Sequence, residues 1–162
     1  MITIEDIYFG AARLITELLR KESESQGHTL TGAMEDSFTT STSKSKDSDV
    51  MEGFAVFYTR FVNEGVPAGS ASMKQFPFLY KYFLQRGLSD QEAKGAAAAT
   101  IKTWMKEGMS TQASKRFSKT GARQNMIESA LVGGKTQIDE YMKNSLDFFV
   151  DELYHQMKSE TI

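Results

Sequence analysis

The side chains in this sequence able to run a reaction are few and scattered. Two histidines occur, His28 in a polar stretch beside Thr29 and Thr31, and His155 near the end of the chain. A zinc site needs three or four converging ligands of Cys, His or carboxylate type. Cys is absent, and no compact ligand set surrounds either histidine, so both read as solvent-facing or capping residues. The acidic pairs Glu5-Asp6, Glu35-Asp36, Asp139-Glu140 and Asp151-Glu152 are adjacent in sequence. Adjacent helical residues diverge by about 100°, so each pair reads as part of a solvated face. Glycosidase or two-metal chemistry needs carboxylates converging on a substrate instead. Asp47, Asp49 and Glu52 lack the central Gly and distal Glu of a calcium loop. Gly133-Gly134-Lys135-Thr136 has the look of the end of a phosphate loop. It falls between two predicted helices rather than after a buried strand, and reads as a helix–helix break with a cap. The expectation is a chain without catalytic, cofactor-binding or metal-binding residues, and not an enzyme.

Charge is distributed more tellingly than its total of −2. Residues 1–73 carry 6 basic and 11 acidic side chains, residues 74–125 carry 10 and 3, and residues 126–162 carry 3 and 7. The pattern is acid, base, acid. Such segregation brings opposite faces of neighbouring copies together, turns a basic surface toward DNA, or is simply an uneven solvated surface. The basic stretch Lys115, Arg116 and Lys119, with Arg123 nearby, is the candidate face for DNA or a partner. No basic recognition helix accompanies it, so any DNA contact would be electrostatic and blind to sequence.

Amphipathic periodicity predicts a helix over 3–22, with Ile4, Ile7, Ala11, Leu14, Ile15 and Leu18 on one side and Thr3 as cap. A short helix is predicted at 32–38, capped by Thr31. Residues 39–49 are polar and rich in Ser and Thr; they read as a mobile loop or as an exposed strand. The following VMEGFAVFY run reads as the best strand, with Phe54, Val56 and Tyr58 on one face and Ala55 and Phe57 on the other. The preferred reading is a hairpin of 38–46 against 50–58, covered on both faces by helices or by a neighbouring subunit. A short helix ended by Gly65, a flexible connector at 66–72 and an aromatic helix around Phe76, Phe78 and Tyr82 come next. Ser89 and Glu92 form a capping box that opens a helix to about Glu107, in which Ala96 to Ala99 allow another backbone to come close. A basic loop with part of a strand spans 109–120. Helices at 122–131 and 137–158 are separated by the glycine pair, the second capped by Thr136. The fold class expected is α+β: long N- and C-terminal helices on a small antiparallel sheet, in a single domain over 1–162 with a helical insertion at about 66–110. No apolar run approaches the 18 residues of a membrane span, and the N-terminal residues lack an export signal. A soluble protein made in the cytoplasm is expected.

The run His28-Thr29-Leu30-Thr31-Gly32-Ala33-Met34-Glu35-Asp36-Ser37-Phe38 resembles the front of the tailed-phage head–tail joining and tail-completion (neck) proteins of the HK97-like group. Thr31, Gly32 and Ser37 fill that family's Thr-Gly and Ser places. Tyr58, Phe61, Val62, Glu64 and Gly65 resemble its strand, Tyr, short helix and acidic-Gly end. Met126, Ala130, Leu131 and the segment 137–158 match its last helix. The similarity covers about half the chain; the stretch 66–110 is longer and more helical than the family's link, and the Pro usual before the last element is missing. The resemblance implies a virion subunit forming a six-fold or twelve-fold ring at the neck. Its partners would be portal or adaptor and tail-tube or terminator proteins, with nonspecific contact to DNA in a channel. It leaves a tail terminator, another assembly module or a nonspecific DNA-binding protein as alternatives. Phe54, Val56, Tyr58, Phe76 and Phe78 are then the expected subunit contacts.

Overall fold

The structure is a computed structural model that describes residues 2–29, 31–44 and 49–160. The described elements are α1 (Ile4–Ser25), α2 (Ala33–Asp36), β1 (Thr39–Lys44), β2 (Asp49–Phe54), α3 (Thr59–Glu64), α4 (Phe76–Gln85), α5 (Asp90–Glu107) and α6 (Met126–Glu160), with 3-10 turns at Met73–Gln75 and Gln112–Phe117. The protein is mostly helical, with one two-stranded antiparallel sheet. It divides into two compact units, Met1–Thr59 with Asn125–Ile162, and Arg60–Gln124.

In the first unit α1 begins as its sequence requires. The Thr3 hydroxyl accepts from the Asp6 N–H at 3.1 Å, and the Asp6 carboxylate accepts from the Thr3 N–H at 2.8 Å. This reciprocal pair satisfies two backbone donors that no helical carbonyl can reach. The helix buries Ile7, Ala11 and Ala12 and packs against α6. The two run antiparallel: the Ile2 N–H donates to Glu152 Oε2 at 2.9 Å, Gly10 faces Tyr141, and Leu18 faces Gly134.

The glycine pair does not break the last helix, and Thr136 is not a cap. α6 runs unbroken for 35 residues, about 52 Å at 1.5 Å per residue. Two helical glycines cost about 1 kcal/mol each relative to Ala. At Gly134 the bare backbone is what admits Leu18, so close packing offsets the unfavourable propensity.

The hairpin is shorter than its sequence suggests. Thr39 pairs with Phe54 and Ser43 with Val50, within the expected 38–46 against 50–58, but the second strand ends at Phe54. The Val56 N–H donates to Ser37 Oγ at 3.0 Å, and the Val56 carbonyl accepts from the Thr59 N–H at 2.9 Å. Those bonds turn the chain into α3, leaving Val56 and Tyr58 outside the sheet. Residues 45–48 of the expected turn lie outside the described residues. α2 is also shorter than expected and is capped by Gly32, whose φ of 78° is the left-handed geometry glycine takes without penalty. Thr31 Oγ1 contributes only a 3.4 Å acceptor for the Ala33 N–H.

In the second unit α4 packs on α5, around Ala71, Ala93, Ala97 and Ile101. The capping box at Ser89 and Glu92 is present. Of the four alanines, Ala97 is fully buried and Ala99 exposed, so the close approach is made by one face of the run. The strand expected within 109–120 reduces to a single bridge between Val66 and Met109, followed by the 3-10 turn.

Candidate interaction surfaces

Among the described residues, the reactive side chains stay apart or serve the fold. His28 Nε2 lies 3.2 Å from Gln26 Oε1, and His155 meets the Tyr154 ring edge-on. Among the described residues no three His, Asp or Glu side chains converge as a metal site. Asp47 lies outside those residues, and Gly133 to Thr136 lie within α6. Glu35 departs from the solvated role its pairing with Asp36 suggests. It is 8% exposed, and its Oε1 accepts from Ser23 Oγ at 2.5 Å and Thr29 Oγ1 at 2.7 Å. Burial pushes its pKa up. The two hydroxyls, its own backbone N–H and nearby His28 outweigh that and hold it below the usual 4.5. Arg20 Nε donates to the Glu35 carbonyl at 3.2 Å. The run from His28 to Phe38 is therefore a joint that ties the end of α1 to the start of the hairpin.

What the first unit offers is surface. Along β2 and the turn after it, Val50, Met51, Phe54, Phe57 and Tyr58 are all exposed, Phe57 to 78%. Among the described residues, the cover expected on both faces of the strand is incomplete. Beneath the hairpin is an open cavity of about 350 Å³, walled by Ile15, Leu19, Phe38, Met51, Phe54 and Leu131 among others. Thr59 lines it too; its Oγ1 is buried and, among the described residues, has no hydrogen-bond partner. Such a group costs about 1–3 kcal/mol until something supplies a partner. Of the expected contact residues here, Phe54 and Tyr58 are exposed and Val56 is half-buried.

The second unit offers a different face. Phe76 is half-buried and stacks on Tyr80, with centroids 6.3 Å apart and planes 6° apart. Tyr80 in turn hydrogen-bonds Asp90. The Tyr80–Asp90 bond links α4 to α5, whereas Phe78 is 77% exposed. Beside Phe78 on the helix face lie the exposed Lys74 and Lys81. The basic stretch is not one surface. Lys115, Arg116 and Lys119 are exposed, with Arg116 over the Phe117 ring at 4.8 Å. Arg123 is half-buried and donates through one guanidinium nitrogen to the Ser114 carbonyl at 3.4 Å. Burial lowers its pKa, Tyr82 opposes that, and Arg86 adds to it.

Charge follows the division into units. Arg60–Gln124 holds 11 Lys or Arg against 4 Asp or Glu, a net +7; the remaining residues hold 8 against 17, a net −9. No protein-family model, curated protein or solved structure matches this chain. No helix among the described residues is long and apolar enough to cross a membrane. Two features escape a reading of the sequence. Thr59 carries no signal, since an unpaired hydroxyl depends on tertiary surroundings. Lys74, Phe78 and Lys81 do carry one, at the i, i+4, i+7 spacing of a helix face.

Proposed function

We propose that the protein is a structural subunit that packs against copies of itself in a ring, at the head–tail junction of a tailed phage. The observation that carries the assembly reading is the uncovered hairpin. Five large apolar residues from Val50 to Tyr58 stand in solvent beside an apolar cavity, and contiguous exposed apolar surface of this kind marks contact sites. The station in the virion rests on the resemblance of residues 28–38 and 58–65 to neck proteins. The order of elements supports it: an N-terminal helix, a hairpin, Tyr58, a short helix ending at Glu64-Gly65, and a last helix from Met126. A ring at that station joins the portal or adaptor complex to the tail and lets DNA through. Its contacts would be heterologous and closed, each copy presenting one face forward and another back.

Immunogold labelling of tailed particles with antibody to the purified chain tests the station. Label between head and tail is the expected result. Label confined to another part of the particle, or none on intact and tail-detached particles alike, would end the neck assignment.

A further inference from the structure

We infer that a second copy of this chain covers the outer face of α4, and that it does so with the C-terminal half of α6. This deepens the ring reading above and rests on it. On α4 and the turn before it, Lys74, Phe78 and Lys81 share one side and are all exposed. Their spacing of four and three residues keeps them on one helical stripe about 10 Å long. The stripe alternates basic and apolar. α5 packs on α4 from another side, where Tyr80 hydrogen-bonds Asp90 at the start of α5.

The C-terminal half of α6 carries the complementary pattern. α1 covers the side that includes Tyr141 and Glu152. Leu146, Val150 and Tyr154 recur every four residues off that side and are 40%, 59% and 62% exposed. Asp147 and Asp151 stand next to them, both exposed. This stripe is apolar and acidic, and at 1.5 Å per residue it spans about 12 Å, close to the length of its proposed partner. Apolar residues would meet at the centre and the lysines would meet the aspartates at the rim, the usual layout of a specific contact. The net +7 of the middle unit against the net −9 of the rest favours the same pairing over association of like faces. Because the two faces differ, each copy donates α6 to one neighbour and receives it from another, which is the heterologous geometry a ring requires. The basic face of α4 is thereby assigned to protein rather than to a DNA phosphate backbone.

Charge reversal on the full chain tests this. Lys74→Glu with Lys81→Glu makes one variant, and Asp147→Lys with Asp151→Lys makes the other. All four positions are exposed, so both variants should keep the circular dichroism spectrum of the parent. In sedimentation velocity each variant alone should lose self-association by on the order of a hundredfold and run as the 18.1 kDa chain. An equimolar mixture should regain the parent's assembly, because every contact in it can then pair opposite charges. If both variants assemble as the parent does, this contact is wrong while the ring stands. If each is monomeric and the mixture stays so, the complementarity is wrong. A parent chain that is itself monomeric removes the ring reading and this contact together. DNA that binds the parent, and is lost only in the lysine variant while assembly persists, overturns the assignment of α4 to a second copy.

Discussion

Gly134 lies so close to Leu18 that a β-carbon placed on the glycine would overlap the leucine's Cδ1. The contact explains why a helix with two successive glycines continues through them. A β-carbon placed on its neighbour Gly133 would meet nothing within 4 Å beyond the helix's own backbone.

The two glycines should therefore respond oppositely to the same change. Gly133→Ala should stabilise the chain by about 0.5–1 kcal/mol, the gain in helix propensity alone. Gly134→Ala should destabilise it by about 1–2 kcal/mol, because overpacking exceeds that gain. Urea unfolding at pH 7 measures both. A Leu18→Ala change beside Gly134→Ala should recover part of the loss, since it removes the obstructing group.

Glu35 makes a pH-dependent contribution. Its carboxyl is held below its ordinary 4.5, so its stabilising effect is full above that value. It is lost as the pH falls through the lower, folded-state value. Glu35→Gln should cost about 2 kcal/mol at pH 7 and flatten the acid limb of the stability curve below about pH 4.5. Melting temperature as a function of pH would show it. Parallel curves for parent and variant would mean that the joint to Ser23 and Thr29 is not charge-assisted.

Thr59 should separate the free subunit from the assembly. Thr59→Val removes a buried hydroxyl that has no partner among the described residues, and should stabilise the free chain by about 1 kcal/mol. If a neighbour's backbone supplies the partner on assembly, the same change should weaken association. Unfolding and sedimentation run on one preparation would give both signs.

Two helix starts are legible in the sequence. The Thr3 cap and the stripe from Ile4 to Leu18 place α1, and Ser89 with Glu92 places α5, because caps and amphipathic faces are local properties. The errors come where tertiary contacts override local preference. Gly133-Gly134 reads as a break because the packing of Leu18 has no local signature. The strand through Val56 and Tyr58 reads as extended because its β-branched and aromatic residues favour that state; Ser37 and Thr59 take its backbone groups instead. Glu35 reads as surface because nothing near it in sequence shows that Ser23, twelve residues away, turns back to meet it. Among the surfaces, Phe54, Tyr58 and Phe78 are exposed. Phe76 and Arg123 are drawn into the second unit's own packing, which spacing alone does not reveal.

Exposed apolar residues on the hairpin are held to be a contact rather than a loose end. Phe54→Ser should leave the melting temperature within about 2 °C of the parent, the range of an exposed substitution in a chain of this size. It should weaken self-association by at least about tenfold in sedimentation velocity.

The mass and image of the assembled chain bear most directly on the whole account. Native mass measurement with electron microscopy of the purified protein should give closed rings, at six or twelve times 18.1 kDa, with an axial opening. A single 18.1 kDa species persisting to millimolar concentration, or open filaments with no closed form, would contradict it.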